Sequence, residues 1–163
     1  MFTILMVAMM SAVFVSCSKD DDNNSNNNSN NGSTNSGSIV GTWEMTHYEG
    51  YSLEKKTGEK DTWNLTPGTS NWQYEMDCEG IRAEFTSDNK FTRYSLDEGQ
   101  WVIDATSTYS YNSSTQIMII GVGTSHQEEY KLTALNATTM VGEMTEETDE
   151  WKDYHKYTYK KIK

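Results

Sequence analysis

From Ile39 onward the chain is a series of short segments in which apolar and polar residues alternate, separated by Gly, Asp, Asn and Ser. Alternation sends successive side chains to opposite faces, which is the period of a strand and not of a helix. Ile81-Arg82-Ala83-Glu84-Phe85 alternates cleanly, Ser87-Asp88-Asn89-Lys90 reads as a turn, and Phe91-Thr92-Arg93-Tyr94-Ser95-Leu96 resumes the pattern, so this stretch is a hairpin. After Gly41, the residues Trp43, Met45 and His47 alternate with Thr42, Glu44, Thr46 and Tyr48. Gly99 leads into Gln100-Trp101-Val102-Ile103, and the apolar run Ile117-Met118-Ile119-Ile120 is ended by Gly121 and Gly123. Further strands are expected over residues 130–135, 140–144 and 154–159, with Tyr157 and Tyr159 on one face.

About eight short strands in sequence order make an all-β meander, and closing it into a barrel hides the edges. A barrel of about eight strands has an interior that is either filled or holds one small ligand. A two-sheet sandwich is the competing architecture, but it needs longer crossing connections than the chain offers after Ile81. Two stretches resist this reading. Ser125 and Glu128 have the spacing of a capping box, so a short helix competes with a strand over residues 125–135. Residues 52–77 hold Trp63, Trp72, Tyr74 and the turn signal Pro67-Gly68 without a steady period, which suggests a long crossover loop or flap.

The first 38 residues stand apart. Residues 1–15 are nearly all apolar, too short to span a bilayer but suited to the core of a secretory signal. A small Ser16 precedes Cys17, and no charged residue comes before Lys19. From Ser18 to Ser38 there is no aliphatic or aromatic side chain. Such a run buries nothing to offset the entropy of ordering, so it is expected to be a disordered tether, spanning about 25 Å on average. Residues 39–163 are then a single domain. Asp20-Asp21-Asp22-Asn23-Asn24 departs from a calcium loop, with Ser25 and Asn31 where Gly and Glu belong.

The net charge of −11 opposes phosphate backbones and excludes a nucleic-acid partner. The one basic cluster, Lys152, Lys156, Lys160, Lys161 and Lys163, is interleaved with Tyr and reads as a solvated strand face. Cys78 lies between Asp77 and Glu79, whose charges disfavour a thiolate, so a passive thiol is expected. His47, His126 and His155 lack metal-ligand spacing, and Glu146, Glu147, Asp149 and Glu150 suggest a solvated hairpin tip. Neither a nucleophile elbow nor a phosphate loop is present, so no enzyme, metal or cofactor is expected.

Phe14-Val15-Ser16-Cys17 resembles the lipobox of bacterial lipoproteins. That implies a signal peptide over residues 1–16, acylation of Cys17 and a lipid-anchored tether over residues 17–38. Lys19, Asp20, Asp21 and Asp22 resemble the acidic export signal of Bacteroidetes surface lipoproteins, which implies the outer face of the outer membrane. Gly41-Thr42-Trp43, Phe85-Thr86-Ser87-Asp88-Asn89-Lys90-Phe91 and Gly99-Gln100-Trp101 are similar to the pattern of lipocalin-like lipoproteins of that group. The resemblance implies a barrel over residues 39–163, with Gly41 and Trp43 at its floor and Lys160 or Lys161 covering the Trp. Two functions follow. The barrel holds a small apolar or amphipathic ligand, which a cavity above about 300 Å³ would favour. Alternatively it is filled, and Trp63, Trp72 and Tyr74 meet a protein or glycan.

Overall fold

The computed structural model describes residues 37–163. Its strands are β1 (Gly41–Glu54), β2 (Lys60–Leu65), β3 (Gly80–Phe85), β4 (Lys90–Asp97), β5 (Gln100–Asn112), β6 (Ile117–Ile120), β7 (Glu128–Leu135), β8 (Thr139–Glu147) and β9 (Trp151–Lys161), with one helix, α1 (Ser70–Met76), between β2 and β3. All pair antiparallel in the order β2-β1-β3-β4-β5-β6-β7-β8-β9. β1 also pairs with β9 from Trp43↔Lys161 to Glu54↔Trp151, which closes eight strands into a barrel and leaves β2 as an extra. The expected meander barrel is therefore present, and the sandwich is not.

Local chemistry explains the turns. The β3–β4 hairpin puts Phe85 opposite Phe91, and its tip is held by Thr86, whose hydroxyl donates to the Asp88 carboxylate at 2.5 Å. Asn89 takes the left-handed conformation there, at φ 62°. At the acidic tip between β8 and β9, the Thr148 hydroxyl accepts the Trp151 amide at 3.0 Å, and Lys55 reaches Glu147 at 2.7 Å.

Two sequence expectations are corrected, and the alternative left open over residues 125–135 is decided for the strand. Residues 125–135 form no helix: Glu128 opens β7, whose pairing with β6 and β8 uses the backbone that a helix would need. Residues 52–77 are not a loop or flap. β1 runs on to Glu54, turns into β2, and continues into α1, capped by the Thr69 hydroxyl accepting the Trp72 amide. Finally, His47 does not continue the inward row of Trp43 and Met45. The β1–β9 register shifts between Met45 and His47, so Thr46 is an extra residue and its hydroxyl donates to the Thr158 carbonyl at 3.2 Å. This bulge inverts the alternation. His47 turns outward to Glu49, 3.5 Å away, and Tyr48 turns inward opposite Tyr157.

The closed end is built around Trp43, which is fully buried with Ile39, Phe85, Leu132, Leu135 and Met140. Its indole N–H donates to the Ile39 carbonyl at 2.8 Å, and the Lys161 ammonium sits 5.0 Å from the ring centroid. Gly41, at φ 138°, lies where a Cβ would strike the Lys163 carbonyl. The first described residue, Gly37, is at this end, its amide donating to the Leu135 carbonyl at 3.0 Å.

The other end is splayed. β3 pairs with β1 over Gly41 to Glu44, while β2 pairs with the same edge of β1 over Tyr48 to Leu53. The two strands diverge, and α1 fills the wedge by burying Trp72 against Met45, Leu65 and Ile81.

Candidate functional site

The barrel encloses a cavity of about 190 Å³. Its deep part is apolar, walled by Phe85, Phe91, Met118, Leu132 and Met140. Phe85 meets Phe91 at 5.2 Å and the edge of Tyr109 at 5.0 Å, so the floor is a rigid aromatic cluster. The Tyr109 hydroxyl is withdrawn from the cavity by donating to the Thr86 carbonyl at 2.8 Å. Met45, Met76 and Met144 add flexible thioether walls that adapt to a guest.

Higher up, the wall is phenolic. Tyr48 stacks on Tyr157 at 4.9 Å with the planes 3° apart, and Tyr130 meets Tyr157 edge-on at 5.9 Å. Burial raises the Tyr130, Tyr157 and Tyr159 hydroxyls well above the ordinary phenol value, and nearby Glu128 pushes all three the same way. These groups stay neutral at physiological pH, and all three residues line the cavity. Burial also raises Tyr48. Its hydroxyl is 2.8 Å from His155 Nδ1, and the two rings lie parallel, 8° apart, with centroids at 6.1 Å.

Trp63 packs against Tyr48 beside this upper wall. It lies on β2 opposite Gly50, tilted against His155 at 5.5 Å and Tyr48 at 5.8 Å. Gly50 makes that possible: a Cβ there would come within 2.7 Å of the Trp63 ring and would strike the Tyr154 carbonyl. The Trp63 indole N–H is buried without a well-formed hydrogen bond.

Two charged side chains line the cavity. Arg93 is held by Asp104, Nε to Oδ2 at 2.6 Å. Glu128 accepts the Tyr130 hydroxyl at 2.6 Å and has no cationic partner among the described residues. Among the described residues, no three His, Cys, Asp or Glu side chains converge as metal ligands. Cys78 is a free thiol, its pKa raised first by burial and further by Asp104 and Asp77.

The sequence-derived candidates are distributed as follows. Gly41, Trp43 and Lys161 meet at the closed end, whereas Lys160 pairs between Glu44 and Thr139 without reaching the ring. Of the three expected contact aromatics, Tyr74 is 86 % exposed, Trp63 is half-buried over Gly50, and Trp72 is wholly buried, so a single contact surface of the three does not exist. Cys17, Lys19, Asp20, Asp21 and Asp22 lie outside the described residues. Sequence reasoning missed Tyr48, Arg93, Glu128, Tyr130 and His155. The period-two rows Glu128/Tyr130 and His155/Tyr157/Tyr159 carried a signal for three of these, on β7 and β9, but Tyr48 was hidden by the bulge.

No known protein-family model matches the chain, and no curated protein is similar to it in sequence. What the barrel can hold is therefore set by its own walls. Among the described residues, no helix is long and apolar enough to cross a membrane.

Proposed function

We propose that this chain is a lipid-anchored, surface-facing lipoprotein of the lipocalin-like Bacteroidetes type, whose barrel carries one small amphipathic molecule and performs no chemistry. The observation that carries this reading is the cavity: about 190 Å³, apolar at its floor, lined with neutral phenols higher up and with charge only at Arg93 and Glu128. It is below the roughly 300 Å³ typical of drug-sized pockets, and slightly above the ~150 Å³ apolar cavity that accepts benzene. It therefore falls short of the roughly 300 Å³ set above as favouring a ligand-holding barrel, and the guest proposed here is smaller than a sterol.

Naphthalene and native mass spectrometry test the carrier reading. The chain from Ser18 onward, which retains the whole barrel, is expected to bind naphthalene at micromolar concentration with quenching of Trp63 and to retain a small extra mass when purified from its own cells. A clean apo mass together with no naphthalene response overturns it.

Anchoring is supported by Phe14-Val15-Ser16-Cys17 and the apolar-free run that follows. Two acyl chains suffice for stable attachment. Cys17→Ala is expected to abolish palmitate labelling and release the protein from membranes; persistent labelling would refute the assignment. Protease shaving of intact cells tests outward display, and full protection would contradict it.

A second reading, contact with a protein or glycan, is favoured by Tyr74, which stands out from α1 without burying its ring. Tyr74→Ala would then abolish partner capture and leave naphthalene binding intact.

A further inference from the structure

The carrier reading leaves the ligand's charge open, and the mouth of the barrel supplies it. Glu128 is exposed at the cavity edge, and among the described residues it accepts from a neutral phenol, Tyr130. The cavity's one cation, Arg93, is already paired with Asp104. The uncompensated charge on the lining is therefore negative.

The approach to the mouth has the same sign. β1, β2, β8 and β9 extend past the barrel as one sheet, and the register aligns their inward side chains in rows. Trp63, Gly50, His155 and Met144 form one row. The next row outward is Asp61, Ser52, Asp153 and Glu146. Asp153 and Glu146 are directly opposite on neighbouring strands, a placement that repels. None of these three acids forms an ion pair among the described residues. A cation entering here would meet the acidic row, then the rings of Trp63, Tyr48 and Tyr157, which attract positive charge, and finally Glu128. An anion would be opposed at each stage.

Resting on the carrier reading above, we propose that the ligand is a compact organic ammonium. Its apolar body, about eight non-hydrogen atoms by comparison with benzene in a ~150 Å³ cavity, fills the Phe85–Phe91–Met118 floor, and its ammonium ends beside Glu128.

The test uses three probes with one body and different charge: phenethylamine, phenethyl alcohol and phenylacetate. Each is titrated into the chain from Ser18 onward, by calorimetry, at low and high salt. The amine is expected to bind about tenfold tighter than the alcohol, as a charge-assisted contact implies, with phenylacetate weakest. Glu128→Gln should bring the amine-to-alcohol ratio below about twofold, and salt should shrink the wild-type ratio because the mouth is solvated. Because Glu128 is exposed, the exchange leaves the core untouched; matched circular dichroism melts check this. Equal binding of amine and alcohol, tighter binding of phenylacetate, or a ratio unmoved by Glu128→Gln each overturns the proposal. If naphthalene binds and none of the three does, the ammonium inference falls and the carrier reading stands. If naphthalene also fails to bind and the mass from native cells is clean apo, both fall.

Discussion

Trp43 and Trp72 are both wholly buried, yet replacing each with Phe is expected to have different consequences. Indole to phenyl removes about 50 Å² of buried apolar surface, roughly 1.2 kcal/mol at 25 cal/mol per Å². That loss applies to both. Trp43 also donates to the Ile39 carbonyl at 2.8 Å and carries the Lys161 ammonium over its ring. Losing the donor leaves a buried carbonyl unsatisfied, about 1–3 kcal/mol, and losing the larger ring weakens a cation contact of about 0.5–1 kcal/mol. Trp43→Phe should therefore cost about 3–5 kcal/mol. Trp72 differs because its buried N–H has no well-formed partner; its polar neighbour is the Cys78 sulfur, a weak acceptor. Phe removes that stranded donor and recovers about 1–3 kcal/mol of desolvation penalty. Trp72→Phe should fall within about 1 kcal/mol of the parent. Urea melts followed by far-ultraviolet circular dichroism on the chain from Ser18 onward measure both. Equal costs, or a larger cost at Trp72, would show that hydrogen-bond satisfaction does not separate the two sites.

Other consequences concern the mouth and the phenols. Gly50→Ala pushes a methyl into the Trp63 ring and the Tyr154 carbonyl, so it should lower stability by about 1–3 kcal/mol through overpacking and shift the Trp63 emission to the red; unchanged emission would mean that Trp63 does not lie over Gly50. Tyr130, Tyr157 and Tyr159 have pKa values raised in the folded state, so their contribution is complete below the unfolded phenol value of about 10 and is lost as pH rises above it. Each adds a slope of up to about 1.4 kcal/mol per pH unit in that window. Unfolding free energy should thus drop steeply from about pH 10 upward; a flat profile there, or normal phenol titration in the intact protein, would contradict the burial of these rings.

The barrel was legible because its strands are half-buried and advertise it in period two. Phe85 and Phe91, either side of an Asp-Asn turn, could pair across a hairpin in only one sensible register. Gly41 and Trp43 pointed to the closed end for a physical reason: a glycine beside a large aromatic lets the chain terminus cross closely over it. Residues 52–77 were illegible because no local pattern shapes them. β2 exists only because the far half of β1 offers an unpaired edge, and the seven-residue α1 is held by the burial of Trp72 in a wedge made by three other strands. Helices this short are marginal without such tertiary support. Trp72 therefore read as a surface aromatic when it is core. The capping-box spacing at Ser125 and Glu128 left a helix competing with the expected strand, and this local signal yielded to strand pairing on both sides.

The Thr46 bulge connects these failures to the site. Without the extra residue, strict alternation along β1 would carry His47 and Glu49 inward and turn Tyr48 and Gly50 to solvent. The closed end would survive, because Trp43 and Met45 precede the shift. The mouth would not: Tyr48 would leave Tyr157 and His155, Trp63 would lose its seat on Gly50, and Glu49 would be drawn from Lys156, 2.8 Å away on the outer face. One unpaired residue thus lets a single strand seal the barrel with its first half and line the entrance with its second. In the proposed carrier the second half of β1 governs access, because the uncompensated carboxylate of Glu128 is useful only where a guest can reach it, and that half brings Tyr48 to the cavity wall beside Tyr157.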